Sequence, residues 1–296
     1  MRNLVVKKKK HLLIQLYFTL GKNDRGEIIS PKFKFIFVRN KNYFIFHSIL
    51  NRDTINILEN VILSSFKKNV DPSLESFVNI QDYPLTPNTN LNKFNKDVIY
   101  SKALFEIINS SSILDLIHTE IENSSYSLHP ALNTRIQYPN NENSSNKFSK
   151  YLGWHQDIYT MDNNSKETPI YTLWIPLTSC KLESGGLDIF ETGSMLNDSL
   201  SYNRDTYLTD LSEMQRLNGA VRNITCEPGD IVLFDKYVLH KSRPNISNKN
   251  RISIDIRIFK TGMESGRGNQ ASFELSAVPK DKIYLNWINK IYKNGN

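Results

Sequence analysis

Apolar positions recur at helical spacing in two early stretches. Within residues 53–65, Ile55, Ile57, Leu58, Val61 and Ile62 share one face, and within 102–121 Leu104, Ile107, Ile108, Leu114, Ile117 and Ile121 do the same. Each stretch predicts an amphipathic helix whose stripe is core rather than a binding face. From Thr134 onward the period falls to two. Segments 170–177, 186–190, 231–234 and 252–259 are short, rich in β-branched residues and bounded by glycine and proline, which predicts strands. Further strands are expected within 12–38, around a turn at 21–26. A polar insertion at 200–218 reads as a loop or short helix, and 284–292, with Trp287, as a terminal helix docked on the strands.

Many short strands separated by tight turns, after helices of one apolar stripe each, describe a mainly β fold. The expected core is a double-stranded β-helix, a cupin-like jelly roll, with helices packed on its outer sheet. No internal repeat or Gly/Ser linker divides the chain, so one domain is expected over 1–296. Its core runs from about 130 to 260, after N-terminal strands and helices over 11–125.

Composition narrows the class. Hydrophobic residues make up 39% and charged residues 23% of the 296, the balance of an ordinary soluble globular protein. The net charge of +7 admits anionic partners. Yet there is no zinc-knuckle spacing, aromatic RNA-binding strand or recognition-helix signature, so no nucleic-acid partner is expected. The run Lys7 to Lys10 reads as a solvated tail. The apolar stretch 12–18 is too short to span a bilayer and carries no cleavage site. The two cysteines, Cys180 and Cys226, each fall beside a predicted strand and read as buried free thiols. The expectation is a cytoplasmic monomer or homodimer with no membrane span.

The candidate chemistry sits among the strands. His155 and Asp157, in Trp154-His-Gln-Asp157, are two apart, so on a strand edge they point to one side. His240 follows far downstream, and Arg251 opens the alternating run Arg251-Ile-Ser-Ile-Asp-Ile-Arg-Ile-Phe259. Two imidazoles and one carboxylate are the facial ligand set of non-haem Fe(II). A guanidinium is the side chain best shaped to grip a carboxylate with two bonds. Together they describe a site for Fe(II) and a dicarboxylic 2-oxo acid. Gln156, between the ligands, should face away and act structurally. Taken singly, each signal has an ordinary reading: a surface turn, a core histidine, a strand-end cation. Their joint occurrence in order is what carries weight.

From about Arg135 to Phe259 the chain resembles the phytanoyl-CoA dioxygenase family of Fe(II)/2-oxoglutarate-dependent oxygenases. The matching pieces are the 155–157 triplet, the strand Thr172-Leu-Trp-Ile-Pro-Leu177, the turn 183–194, Pro228-Gly-Asp-Ile-Val-Leu-Phe234, His240-Lys-Ser242, Asn245 and Arg251. The family's turn usually reads Pro-Gly-Ser-His, where this chain has Thr192-Gly-Ser-Met195. The resemblance implies His155, Asp157 and His240 as iron ligands, with Arg251 and Ser242 holding the distal carboxylate of 2-oxoglutarate. It also implies Trp174 and Gln137 as inward-facing residues near that cosubstrate.

The expected activity is hydroxylation, or another oxidation, of an unactivated C–H bond in a small, anionic substrate. It consumes O2 and decarboxylates 2-oxoglutarate to succinate and CO2, with ascorbate as an auxiliary reductant. Asp157 fills the position a halide would need, which disfavours halogenation. Arg135, Arg204 and Arg222 are candidate substrate contacts, and loop 138–146 is placed to close over a substrate. Two other classes stay open at this point: a cupin-type metal-dependent isomerase or lyase that needs no 2-oxo acid, and a catalytically inactive jelly-roll binding module.

Overall fold

The computed structural model describes residues 21–22, 28–29, 35–36, 43–85, 91–121, 125–139, 153–268, 270–276 and 281–293. The Lys7–Lys10 run, the stretch 12–18 and most of the loop 138–146 lie outside them. The chain divides into two units, residues 1–33 and 34–296. In the first, β1 (Gly21–Lys22) and β2 (Ile28–Ile29) pair antiparallel, which brackets the turn expected at 21–26.

The second unit begins with β3 (Phe35–Ile36) and β4 (Tyr43–Phe46). Helices α1 (Arg52–Asn69), α2 (Phe77–Gln81), α3 (Asn92–Ile99), α4 (Lys102–Ile108) and α5 (Ser111–Glu120) follow. Then come β5 (Tyr126–Leu128), β6 (Asn133–Gln137), β7 (Ile170–Pro176) and β8 (Leu187–Thr192). The insertion at 200–218 holds the hairpin β9 (Tyr202–Asn203) and β10 (Leu208–Thr209), and then α6 (Leu211–Arg216). The chain continues through β11 (Gly219–Asn223), β12 (Ile231–Asp235), β13 (His240–Ser242), β14 (Arg251–Lys260), β15 (Phe273–Glu274) and α7 (Asp281–Lys293).

Two antiparallel sheets result. The larger runs β15-β5-β14-β7-β12-β4-β3, with β6 beside β5 on the same edge of β14; the smaller runs β11-β8-β13. Strand alternation sorts side chains between two layers. Leu173, Ile175, Ile231, Leu233, Ile252, Ile254, Ile256 and Ile258 point outward and pack with Leu58, Ile62, Phe66 and Leu104 of the helices. Trp174, Val232 and Phe234 point inward and meet Leu187 and Ile189 of the smaller sheet. Burying each such aliphatic side chain contributes roughly 1.5–3 kcal/mol. This is the expected jelly-roll class, with helices on the outer face.

The helices depart from expectation in detail. α1 is longer than 53–65: the Asn51 side chain accepts from Thr54 N at 2.8 Å and starts it one residue earlier, at Arg52, and it runs four residues further, to Asn69. The stretch 102–121 is two helices. Asn109 Nδ2 donates back to Phe105 O at 2.8 Å where α4 ends, and α5 starts anew at Ser111 after the extended Ser110, so a polar side chain that competes for a backbone partner interrupts the run. α7 appears as expected, with Trp287 against Tyr100, Phe105 and Phe273. Cys180 and Cys226 face each other across an isolated bridge as free, buried thiols, and burial pushes the Cys180 thiol up to about 11.

His129 pins the turn between β5 and β6. Its Nδ1 accepts from Ala131 N at 3.0 Å and its Nε2 donates to Ser265 O at 2.9 Å, so the neutral ring satisfies both. Complete burial, and then the charge of Arg257, bring its pKa down to about 4. A depressed base stabilises the fold fully above about pH 6.5 and loses that contribution as pH falls towards 4, a span worth about 3 kcal/mol. Urea unfolding of metal-free protein across this range should show stability falling with acidity. His129→Gln should make that slope shallower by close to one proton. An unchanged slope would remove His129 as its source.

Candidate active site

His155 and His240 are brought together by backbone pairing. Their main chains form an isolated antiparallel bridge, with His155 N donating to His240 O at 2.9 Å and His240 N to His155 O at 3.0 Å. The two rings stand 4.3 Å apart between centroids. Asp157 does not continue the strand expected at 155–157; it opens a short 3-10 turn over Asp157–Thr160. The extended Gln156, at φ −112° and ψ 142°, still separates them, so the i and i+2 side chains turn the same way. Ligand atoms of His155, Asp157 and His240 all lie within 4.8 Å of one another, a group able to hold a metal ion.

Each histidine has its tautomer set by the carbonyl two residues earlier. His155 Nδ1 bonds Gly153 O and His240 Nδ1 bonds Val238 O, both at 2.9 Å, so each Nε2 is left as a free donor atom. Burial, and then the neighbouring His240, bring the His155 pKa down to about 3, and burial lowers that of His240. Both rings are therefore neutral at pH 7, the form that binds metals. Gln156 is fully buried facing away, as expected. It donates to Tyr237 O at 2.6 Å and accepts from Leu200 N at 2.8 Å, which ties the 200–218 insertion to the site.

Burial alone would raise the pKa of Asp157, but the Arg257 guanidinium wins and holds it well below the usual carboxylate range. Arg257 Nε donates to Asp157 Oδ2 at 3.1 Å and its Nη2 to Oδ1, while Thr172 Oγ1 donates to Oδ2 at 2.5 Å. Neither Arg257 nor Thr172 is among the sequence-derived candidates. Arg257 was visible only as one inward residue of an alternating strand.

The cavity facing the three ligands is lined by Thr172, Trp174, Leu187, Phe234, Ser242, Arg135, Asp255 and Arg257. Arg251 and Gln137 adjoin it, with the Arg251 Cζ 5.7 Å from the Trp174 ring centroid. Arg251 is 2% exposed. Its Nε donates to Gly185 O at 2.9 Å, Nη1 to Ser253 Oγ and Nη2 to Gln137 Oε1, both at 2.6 Å. Three of five N–H groups are used, which leaves one on each terminal nitrogen. All three acceptors are neutral, and among the described residues Arg251 joins no ion pair. Burial works against its charge and lowers its pKa. Gly185, at φ +77°, has no Cβ because one there would overlap the Gln137 carboxamide that Arg251 needs. Asn245 Nδ2 donates to Gln137 O at 2.9 Å from the other side.

The remaining arginine candidates separate. Arg135 faces the cavity and pairs with Asp255, whereas Arg204 and Arg222 are exposed. The insertion and one buried lysine hold the ligand segment in place. Thr209 N donates to Trp154 O at 2.8 Å, and Tyr159 stacks on Tyr202 at 4.0 Å. Lys236, 2% exposed, gives its ammonium to the carbonyls of Ser165, Lys166 and Thr168 at 2.6–2.7 Å. No sequence signal marks it.

Comparison with solved structures gives the same fold. The non-heme alpha ketoglutarate dependent epimerase SnoN from nogalamycin biosynthesis matches at 14% identity and a TM-score of 0.51, over 82% of this chain and 93% of that one. EctD from S. alaskensis, with 2-oxoglutarate and 5-hydroxyectoine, matches at 13% and 0.53, over 76% and 75%. The Ni complex of the non-heme monooxygenase ThoJ matches at 14% and 0.55, over 87% and 96%. Residues 64–253, well over half of the chain, match the phytanoyl-CoA dioxygenase family. The chain therefore belongs to that family of Fe(II)/2-oxoglutarate-dependent oxygenases.

Proposed function

We propose that this oxygenase hydroxylates an unactivated C–H bond of a small anionic substrate at the cavity before His155, Asp157 and His240. The observation that carries the reading is the donor set itself: two imidazoles with free Nε2 atoms and an ionised carboxylate, within 4.8 Å of one another. These residues fit Fe(II) and would be its ligands. When bound together, Fe(II) and 2-oxoglutarate supply the oxidising chemistry, with succinate and CO2 as coproducts. The protein's part is to bind, orient and exclude water.

Arg251 and Ser242 would hold the distal carboxylate of 2-oxoglutarate, with Trp174 and Gln137 beside it. A buried cation bonded only to neutral acceptors is an anion site in waiting, and its two remaining N–H groups form a fork suited to a carboxylate. The charge balance supports an anionic substrate. Around the cavity Arg135, Arg251 and Arg257 stand against Asp157 and Asp255. Among the described residues the cations around it outnumber the anions three to two. Among the related structures, SnoN was solved with Fe3+, alpha ketoglutarate and nogalamycin RO, and EctD with 5-hydroxyectoine, both small molecules. Among the described residues no helix is long and apolar enough to cross a membrane. Free buried thiols and a need for Fe(II) suit a reducing cytoplasm.

The direct test is succinate formation from 2-oxoglutarate with Fe(II) under air. Turnover would separate an oxygenase from a metal-dependent isomerase or an inactive binding module, neither of which consumes the cosubstrate. His155→Ala and His240→Ala should each lose anaerobic Co(II) binding at micromolar metal. A variant that binds like the parent would take its histidine out of the ligand set. Arg251→Lys puts a point charge where a fork stood. Losing charge-assisted bonds of about 1.5–3 kcal/mol should raise the 2-oxoglutarate requirement roughly 10- to 100-fold. An unchanged cosubstrate titration would assign that carboxylate to another cation.

A further inference from the structure

We infer that Arg257 and Thr172 are positioning residues for the third metal ligand, gripping the Asp157 carboxylate so that its one remaining acceptor site serves the metal. The inference rests on the ligand assignment proposed above. Arg257 on β14 and Thr172 on β7 are direct partners in the sheet register, and both point inward. The sheet itself therefore fixes the spacing between the two donors. A carboxylate offers about four acceptor sites. Asp157 Oδ2 takes Arg257 Nε at 3.1 Å and Thr172 Oγ1 at 2.5 Å, and Oδ1 takes Arg257 Nη2. The last free site is on Oδ1.

Stability is a weak reason for this arrangement. The ion pair is buried, with side chains 8% and 3% exposed, and the desolvation of such a pair offsets most of its Coulombic gain. Its geometric effect is stronger. Without a fork, a carboxylate at the start of a 3-10 turn rotates freely about its last torsion. With one, two bonds from a single guanidinium fix its plane. The neighbouring inward residues of β14 are committed elsewhere: Ser253 to Arg251, and Asp255 to Arg135. Arg257 is thus the member of the row that serves Asp157. Its own backbone carbonyl is held by His129 N at 2.8 Å, which steadies the strand where the guanidinium leaves it.

The test compares Arg257→Leu, Arg257→Lys and Thr172→Val with the parent, all shown to be folded by circular dichroism. Anaerobic Co(II) titration gives the affinity, and the Co(II) ligand-field envelope reports ligand geometry, which a merely structural role would leave alone. Arg257→Leu should weaken metal binding roughly 10- to 100-fold and alter the envelope. Arg257→Lys, which keeps the charge without the fork, should recover only part of the affinity, and Thr172→Val should show the smaller loss. Arg257→Leu binding within about twofold of the parent, with the same envelope, would overturn the inference. Should that variant not fold, parent-like behaviour of both other variants would overturn it equally. A parent that binds no Co(II) would instead sink the ligand assignment on which this rests.

Discussion

Strand β14 is buried on both faces, and the rest of the molecule is arranged around what that requires. Its outward residues, Ile252, Ile254, Ile256 and Ile258, are between 0% and 1% exposed and need only apolar neighbours, which the helical layer provides. Its inward residues, Arg251, Ser253, Asp255 and Arg257, are polar or charged and are buried too, between 0% and 7% exposed. Charge removed from water must be met by opposite charge or by hydrogen bonds. β6 meets it with Arg135 and Gln137, and the segment after His155 with Asp157, whose carboxylate also takes a bond from Thr172 of β7. Among the described residues, Arg251 alone of these charged side chains is left bonded to neutral atoms. One strand thereby carries the wall of the core, the grip on Asp157 and a buried arginine bonded to neutral acceptors.

Much of this was legible in the sequence. The β-period segments, the His-x-Asp triplet, the distant histidine and the arginine opening the last long strand are local patterns, and all but Asp157, which leaves the strand, fall where their patterns suggest. What was not legible depends on register. Arg257 and Thr172 meet because β14 lies antiparallel to β7 in one particular alignment, and no window of sequence contains both. The Gln137–Arg251 bond and the bare Gly185 beside it likewise join three distant segments. Asp157 leaves the strand as the chain turns at once into the 3-10 segment, where Ile158 N donates to the Lys236 carbonyl and Tyr159 N to that of Gln156. Helices α2 and α3 were missed because each is too short to display a period.

The same framework accommodates different reactions. The related structures include an epimerase and a monooxygenase at 14% identity, so the shared fold does not dictate the outcome. Selectivity must come from what lines the cavity beyond the three residues proposed to hold the metal. Here that is the Arg135–Asp255 pair, Leu187, Phe234 and the insertion locked to the site by Gln156 and Thr209.

The most direct measurement is a crystal structure of the protein grown without oxygen in the presence of Fe(II) and 2-oxoglutarate. The account predicts one iron on His155 Nε2, His240 Nε2 and a single oxygen of Asp157, and the distal carboxylate of 2-oxoglutarate on the Arg251 fork. Iron bound without Asp157, or 2-oxoglutarate bound with Arg251 still facing only neutral acceptors, would contradict it.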